Sequence, residues 1–388
     1  MFIRNCRYFY RNPSVLVTLG VMTVVLLLFN IQMPFSSVPD DLQRVTRGES
    51  ATCSPKTNIV FLKTHKCASS TIQNIFMRYG DRNNLIFVLP AAGNYLGNPA
   101  PFKRTMAPDP SKFNVTYNIL TLHSRFNYKE MKALMPNDTV FVTILRNPVD
   151  LYESLYSYLN LDRVYKMNLS KAVNKLSYNT LSKRINHKVG LNQMVFDLGF
   201  EYSEHVNSSQ IESFIERIDP LFDLVMITEK MDESLILLRH LMCWSLDDVL
   251  AFRVNARSRK SVVTDKAREK IRRLNWMDQL LYDHFLKRFE DRVKRFGYSS
   301  LQHEVALLNQ KRSIWYDYCV KETRSYSDGV RAKVVTYVRN QNFNDSCASL
   351  TRSELDYIDY LRKKQKHLFR KTKHLFRKTK PRIFFDLM

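Results

Sequence analysis

Three times along the chain a short apolar run gives way, after a few polar residues, to an amphipathic stretch. Asn58-Ile-Val-Phe-Leu62 leads through small polar residues into Ser70 to Tyr79. Thr139 to Leu145 passes through Arg146-Asn-Pro148 into Val149 to Leu159, and Leu221 to Thr228 precedes Glu233 to Met242. Apolar runs this short suit strands buried on both faces, and the stretches after them have the period of a helix. Strands that alternate with helices must run parallel and be joined by crossovers. The chain is therefore expected to form an α/β fold with a mainly parallel central sheet flanked by helices. Beyond Val262 the pattern is helical, with charged faces, to about Gln310.

The formal charge of +23 over 388 residues calls for acidic partners: nucleic acid, anionic lipid or phosphorylated small molecules. The N-terminus narrows that choice. After Arg4, Arg7 and Arg11 no charge falls before Asp40, and Val15 to Ile31 is almost wholly apolar. That is long enough to span a bilayer, with the basic flank in the cytosol. A cleaved signal peptide would have a shorter apolar core ending in small residues, whereas here Phe29-Asn-Ile-Gln-Met33 follows, so residues 14–33 read as a retained transmembrane helix. Residues 1–13 then form a cytosolic tail, 34–57 a proline-containing stem, 58–312 the main lumenal domain and 313–388 a C-terminal extension. Lumenal placement excludes nucleic acid as the partner.

Sequons at Asn114, Asn137, Asn168, Asn207 and Asn344 agree with a lumenal, glycosylated chain, while Asn12 is disqualified by its proline. Beyond the anchor lie Cys53, Cys67, Cys243, Cys319 and Cys347, an odd number in an oxidising compartment. Cys67 is expected to be free and the other four to form two disulfides of open pairing. The alternative is that Cys53 bridges two chains in a homodimer.

The first unit carries Lys63-Thr-His-Lys-Cys-Ala-Ser-Ser-Thr71 between strand and helix. A strand that feeds small and hydroxylated residues into a helix N-terminus makes an anion site, because free backbone amides and the helix dipole converge there. Lys66 adds a full charge, and Ser69, Ser70 and Thr71 add hydroxyls. The segment has no glycine and lacks the Gly-x4-Gly-Lys spacing of nucleoside-triphosphatases, nor is an acidic residue placed to hold magnesium. The second unit supplies Arg146 and, eight residues on, Ser154, a guanidinium and a hydroxyl suited to one phosphate.

Together these elements resemble the two donor-binding signatures of sulfotransferases. The closest likeness is to the galactose-3-O-sulfotransferase family, carried by Asn58 to Thr71, by Thr143-Ile-Leu-Arg-Asn-Pro148 with Leu151-Tyr-Glu-Ser154, and by Asp232-Glu-Ser-Leu with Cys243-Trp244. Cys67 and Asn147 stand where members usually have Thr and Asp. The resemblance implies a P-loop-like sulfotransferase fold and a Golgi type II membrane enzyme. Its donor would be 3'-phosphoadenosine 5'-phosphosulfate and its acceptor a galactose-terminated glycolipid, such as galactosylceramide, or glycan. It also implies that Lys63, Thr64, Lys66, Cys67, Ala68, Ser69, Ser70 and Thr71 meet the 5'-phosphosulfate, and that Arg146 and Ser154 meet the 3'-phosphate. Lys66 is the candidate to stabilise the leaving phosphate. For the base that takes the acceptor's proton, His123 at the end of the Asn118 to Leu122 run comes first and His65 in the donor loop second.

No metal is expected: zinc-like Cys/His spacing and an Asp-x-Asp pair are both absent, which counts against a manganese-dependent glycosyltransferase, the nearest rival. A non-catalytic membrane protein binding anionic glycans is the rival of another class. The tandem Lys366-His-Leu-Phe-Arg-Lys-Thr and Lys373-His-Leu-Phe-Arg-Lys-Thr could make a basic amphipathic surface helix, but it reads first as a solvated tail and is assigned no catalytic role.

Overall fold

The computed structural model describes residues 53–379 apart from 186, 188, 202–205, 253–262, 327–333 and 341–344, with side chains described as far as residue 370 except at 325, 326 and 334. The membrane anchor expected at 14–33, the stem up to residue 52 and the sequon at Asn344 lie outside the described residues. Among those residues, no helix is long and apolar enough to cross a membrane.

The three strand-then-helix units are present. Strand β1 (Ile59–Leu62) feeds helix α1 (Ser69–Arg82); after a short β2 (Ile119–Leu120), β3 (Val140–Leu145) feeds α2 (Pro148–Tyr158). Beyond three further short helices lies the five-residue helix α3 (Gln193–Asp197), and later in the chain β4 (Leu224–Ile227) leads through a 3-10 turn into α4 (Met231–Met242). The strands form one parallel sheet in the order β2-β1-β3-β4, with Leu62 opposite Thr143 and Leu145 opposite Ile227. Every residue of β1 and β3 is buried, which is why both read as unbroken apolar runs rather than alternating ones. Because the chain moves from β1 outward to β2 and then crosses to β3 on the other side, the strand order reverses between β1 and β3. Ligands of such sheets bind outside the carboxyl ends of the strands at that switch point.

The long helices α5 (Trp276–Phe296) and α6 (Tyr298–Cys319) follow, then an antiparallel hairpin β5 (Val320–Tyr326) and β6 (Val334–Arg339), then α7 (Asp345–Thr351) and α8 (Glu354–Thr379). Helix α8 is not a loose tail at its start. Tyr357, Ile358 and Leu361 are buried in the main core. Gln365 bonds both the amide and the carbonyl of Phe87 at 2.9 Å, and Phe369 stacks on Phe113. In the first copy of the repeat, Lys366, His367, Leu368 and Arg370 are exposed, as a solvated face requires.

Both disulfides are internal. Cys53 pairs with Cys243 and Cys319 with Cys347, while Cys67 stays free and buried. Cys53 is thus engaged within its own chain, which removes the bridge between two chains as a basis for a homodimer. The 53–243 bond ties the start of the described chain to the end of α4, where Trp244 Nε1 also donates to the Lys56 carbonyl at 3.0 Å. The sequons at Asn114, Asn137, Asn168 and Asn207 are exposed.

Gly80 marks how closely α1 packs on the sheet. A Cβ there would run into the Phe87 ring and lie 2.6 Å from Ile119 Cδ1. Alanine would gain about 1 kcal/mol of helix propensity and lose about 1–3 kcal/mol to overpacking. Gly80→Ala is expected to lower the unfolding free energy in a denaturant titration despite the better helix former.

Candidate active site

The donor loop runs from Lys63 to Ala68 at the switch point. Lys66 and Ala68 have φ of 59° and 57°, left-handed positions that cost a non-glycine residue on the order of 1–2 kcal/mol each. The surroundings hold them there. The Lys63 carbonyl accepts from His123 Nδ1 (3.1 Å), Thr64 from Ser69 Oγ (2.6 Å) and His65 from Cys67 Sγ (3.4 Å). Lys66 accepts from Arg146 Nη1 (2.9 Å), Cys67 from Thr228 Oγ1 (2.9 Å) and Ala68 from the Thr71 amide (3.0 Å). Thr64 Oγ1 fastens the loop to β3 through the Ile144 carbonyl. With its carbonyls all accepting from protein groups and its dihedrals alternating in hand, the loop has a backbone shape that suits an anion at the start of a 14-residue helix.

The second signature meets the first directly. Arg146 follows β3 and bonds the loop at Lys66; Asn147 caps α2 by accepting from the Val149 amide (3.0 Å), with Pro148 at the first helical position. Ser154 is buried on α2, and the ammonium of Lys66 lies 3.7 Å from the centre of the Tyr158 ring at the end of that helix. Cys67 is packed in the core with its thiol pushed up by burial, so it offers shape rather than a thiolate.

Lys63, which is 2% exposed, is the centre of a second cluster. Its Nζ lies 2.8 Å from His123 Nε2, 3.2 Å from Ser70 Oγ and 3.2 Å from Glu354, the first residue of α8. Glu354 also accepts from Ser70 Oγ (2.6 Å) and Asn94 Nδ2 (3.3 Å). Burial lowers the pKa of Lys63, with Glu354 opposing. Burial would raise that of Glu354, but Lys63, Ser70 and Asn94 together hold it below the usual carboxylate range. Since the Lys63 carbonyl can only accept, His123 carries its proton on Nδ1 and turns the Nε2 lone pair to the Lys63 ammonium. Burial first, then Lys63 and His65, push its pKa well below the ordinary histidine value.

His65 stacks on His123 with ring centres 4.3 Å apart. Its Nδ1 faces both carboxylate oxygens of Asp197 at 2.9 and 3.0 Å, and its Nε2 is 3.2 Å from the Tyr95 hydroxyl. The structure thus gathers His65, His123, Lys63 and Ser70 at one point and Lys66, Arg146 and Tyr158 around the loop's outer turn. Among the described residues no group of His, Cys, Asp and Glu is arranged to hold a metal ion.

Glu354, Asp197, Asn94 and Tyr95 are absent from the sequence-based assignment. Asp197 and Glu354 are single acids far from the loop in sequence, and Asn94 and Tyr95 sit in an irregular segment. The one available signal was that an acid buried in so basic a chain must have a cationic or imidazole partner.

The galactose-3-O-sulfotransferase family model matches residues 3–345. Galactosylceramide sulfotransferase of Homo sapiens is 36% identical over 282 residues, which is 70% of this chain and 66% of that protein. Galactose-3-O-sulfotransferase 2 of Homo sapiens is 34% identical over 313 residues, 78% of each chain. Galactose-3-O-sulfotransferase 3 of Mus musculus is 31% identical over 338 residues, covering 79% of this chain and 78% of the relative. The family match stops short of Glu354.

The buried Lys63–Glu354 pair has a consequence for stability. Removing one partner of such a pair costs on the order of 3 kcal/mol, because the other charge is left buried. A carboxylate whose folded pKa is lowered contributes its stability above the unfolded value and loses it as the pH falls through the folded one. Glu354→Gln should therefore be less stable than the parent by about that amount at pH 7. The gap should close as the pH drops below the usual glutamate value of 4.5, which paired denaturant titrations at pH 7 and 3.5 would read.

Proposed function

Since this chain belongs to the galactose-3-O-sulfotransferase family, we propose that it moves a sulfuryl group from 3'-phosphoadenosine 5'-phosphosulfate to the 3-hydroxyl of a terminal galactose. The acceptor is galactosylceramide or a related galactose-terminated glycan, and the setting is the Golgi lumen, with the chain held as a single-pass type II membrane protein. The observation that carries this reading is the loop at the switch point with Arg146 bonded to its carbonyl edge.

The residues present fit such a donor. Lys66 stands at the outer turn of the loop and Arg146 bonds that turn's carbonyl, so two cations lie beside the loop, whereas Lys63 and Ser70 are already engaged by Glu354. The donor supplies an activated sulfuryl group on a phosphate that is a good leaving group. The amides from Lys66 to Ser70, with the charge of Lys66, would hold the 5'-phosphosulfate and take up negative charge on the phosphate as it leaves, while the charge of Lys63 is already offset by Glu354. Arg146 and Ser154 would hold the 3'-phosphate, the guanidinium by paired bonds. A histidine of the His65–His123 pair would receive the proton of the acceptor hydroxyl. The polar, glycine-free loop is rigid because of its bonds rather than its composition, so the positioning on which sulfuryl transfer depends is built in before the donor arrives.

Transfer of radiolabelled sulfate from the donor to galactosylceramide and to a galactose-terminated glycan tests the proposal. Label should appear on at least one of them. In Lys66→Ala it should fall about 10- to 100-fold or more, the worth of one charge-assisted contact to a developing anion. Absence of transfer to any galactose acceptor, from protein that binds adenosine 3',5'-bisphosphate, would contradict the acceptor assignment. Failure to bind that nucleotide would contradict the sulfotransferase reading altogether.

A further inference from the structure

Besides Glu354, one more carboxylate is buried against the donor loop, and neither signature accounts for it. Asp197 closes the α3 turn and is 1% exposed. Its oxygens face His65 Nδ1 at 2.9 and 3.0 Å, one of them accepts the His65 amide at 2.7 Å, and Gln193 Nε2 donates to the other at 2.8 Å. The turn itself is held from outside: Asp278 accepts the amides of Met194 (3.1 Å) and Val195 (2.9 Å). Asp197 is therefore fixed by its own helix, by a neighbouring helix and by the loop it serves.

A carboxylate only accepts, so His65 carries its proton on Nδ1. The Nε2 lone pair then points to the opposite edge of the ring, where the Tyr95 hydroxyl approaches to 3.2 Å. A hydroxyl can thus reach that lone pair. His123 is built the other way. Its Nδ1 donates to the Lys63 carbonyl and its Nε2 is held at 2.8 Å by the Lys63 ammonium, a charged donor that binds its lone pair more strongly than the neutral Tyr95 hydroxyl, at 3.2 Å, binds that of His65.

We infer that Asp197 is a positioning residue for the transfer proposed above, and that it makes His65 the group that receives the acceptor's proton. The inference rests on the sulfotransferase reading. As the galactose oxygen bonds to the sulfuryl sulfur, its proton passes to His65 Nε2. The bond from sulfur to the bridging phosphate oxygen breaks, and its electron pair leaves with adenosine 3',5'-bisphosphate. Asp197 keeps the ring in the Nδ1-protonated form and stabilises the imidazolium without taking the proton, which later leaves to solvent.

The test uses the full-length protein in detergent, with adenosine 3',5'-bisphosphate titrated calorimetrically and sulfate transfer followed to whichever galactose acceptor the wild type labels. Asp197→Asn should lower kcat by about 100-fold or more, with KM and nucleotide affinity held within about threefold. Asp197→Glu should recover part of that loss. His65→Gln should lose as much as Asp197→Asn, and the double variant no more than either, as expected of groups that act as a unit. Asp197→Asn that binds nucleotide and turns over within about threefold of wild type would overturn the inference. Should that variant fail to bind nucleotide because the loop has collapsed, His65→Gln decides, since it leaves the amide bond to Asp197 in place: unchanged kcat there overturns the inference equally. A wild type that binds the nucleotide yet sulfates no galactose acceptor takes down the transfer reading itself, and the inference with it.

Discussion

The donor loop's carbonyls, from Lys63 to Ala68, are all claimed by protein donors, and the rest of the site depends on this. A loop of this kind in a glycine-rich sequence could reach left-handed dihedrals at no steric cost. Here Lys66 and Ala68 reach them without that freedom, so the conformation has to be imposed from outside. The donors come from separate parts of the fold: Arg146 after β3, Thr228 after β4, His123 after β2 and Ser69 and Thr71 from α1. Parallel strands bring these groups together because their carboxyl ends all open on the same edge of the sheet. The loop's conformation is therefore a property of the sheet's topology as much as of the loop sequence.

Burial of Lys63 adds a second constraint. An ammonium that is 2% exposed must be compensated, and the compensation comes from Glu354, almost 300 residues away. Two consequences follow from that bond. Helix α8 is drawn onto the donor loop, where Tyr357, Ile358 and Leu361 then find apolar cover, and the segment carrying Asn94 and Tyr95 is held between α8 and the loop. Much of the chain's positive charge is solvated, but the few acids buried at this site each meet a cation, an imidazole or backbone amides. Asp197, Glu354 and Asp278 all follow that rule, and Asp278, short of a cation in contact, has its pKa raised to about 7 mainly by burial.

How much of this was legible in the sequence differs by residue. The β1–α1, β3–α2 and β4–α4 units were readable because strands buried on both faces give unbroken apolar runs, and the turn chemistry of Asn147-Pro148 marks a helix start by local rules. Cys67 as the unpaired cysteine followed from its place in the loop. The two-residue β2 was visible only as the apolar run before His123, too short for periodicity to define. Asp197 and Glu354 escaped for a different reason. A single acid has no pattern, and its role is fixed by contacts across 132 and 291 positions of sequence, which only the folded chain supplies. The ranking of the two histidines met the same limit. The resemblance favoured His123, whereas the partner of each ring nitrogen, on which the acid–base chemistry turns, is a tertiary property.

The most direct test of the proposed anion site is a crystal structure of the protein with adenosine 3',5'-bisphosphate. The account predicts the 5'-phosphate within hydrogen-bond distance of the backbone amides between Lys66 and Thr71, and the 3'-phosphate against the Arg146 guanidinium. A nucleotide bound elsewhere on the sheet edge, or one whose phosphates touch neither the loop amides nor Arg146, would contradict it.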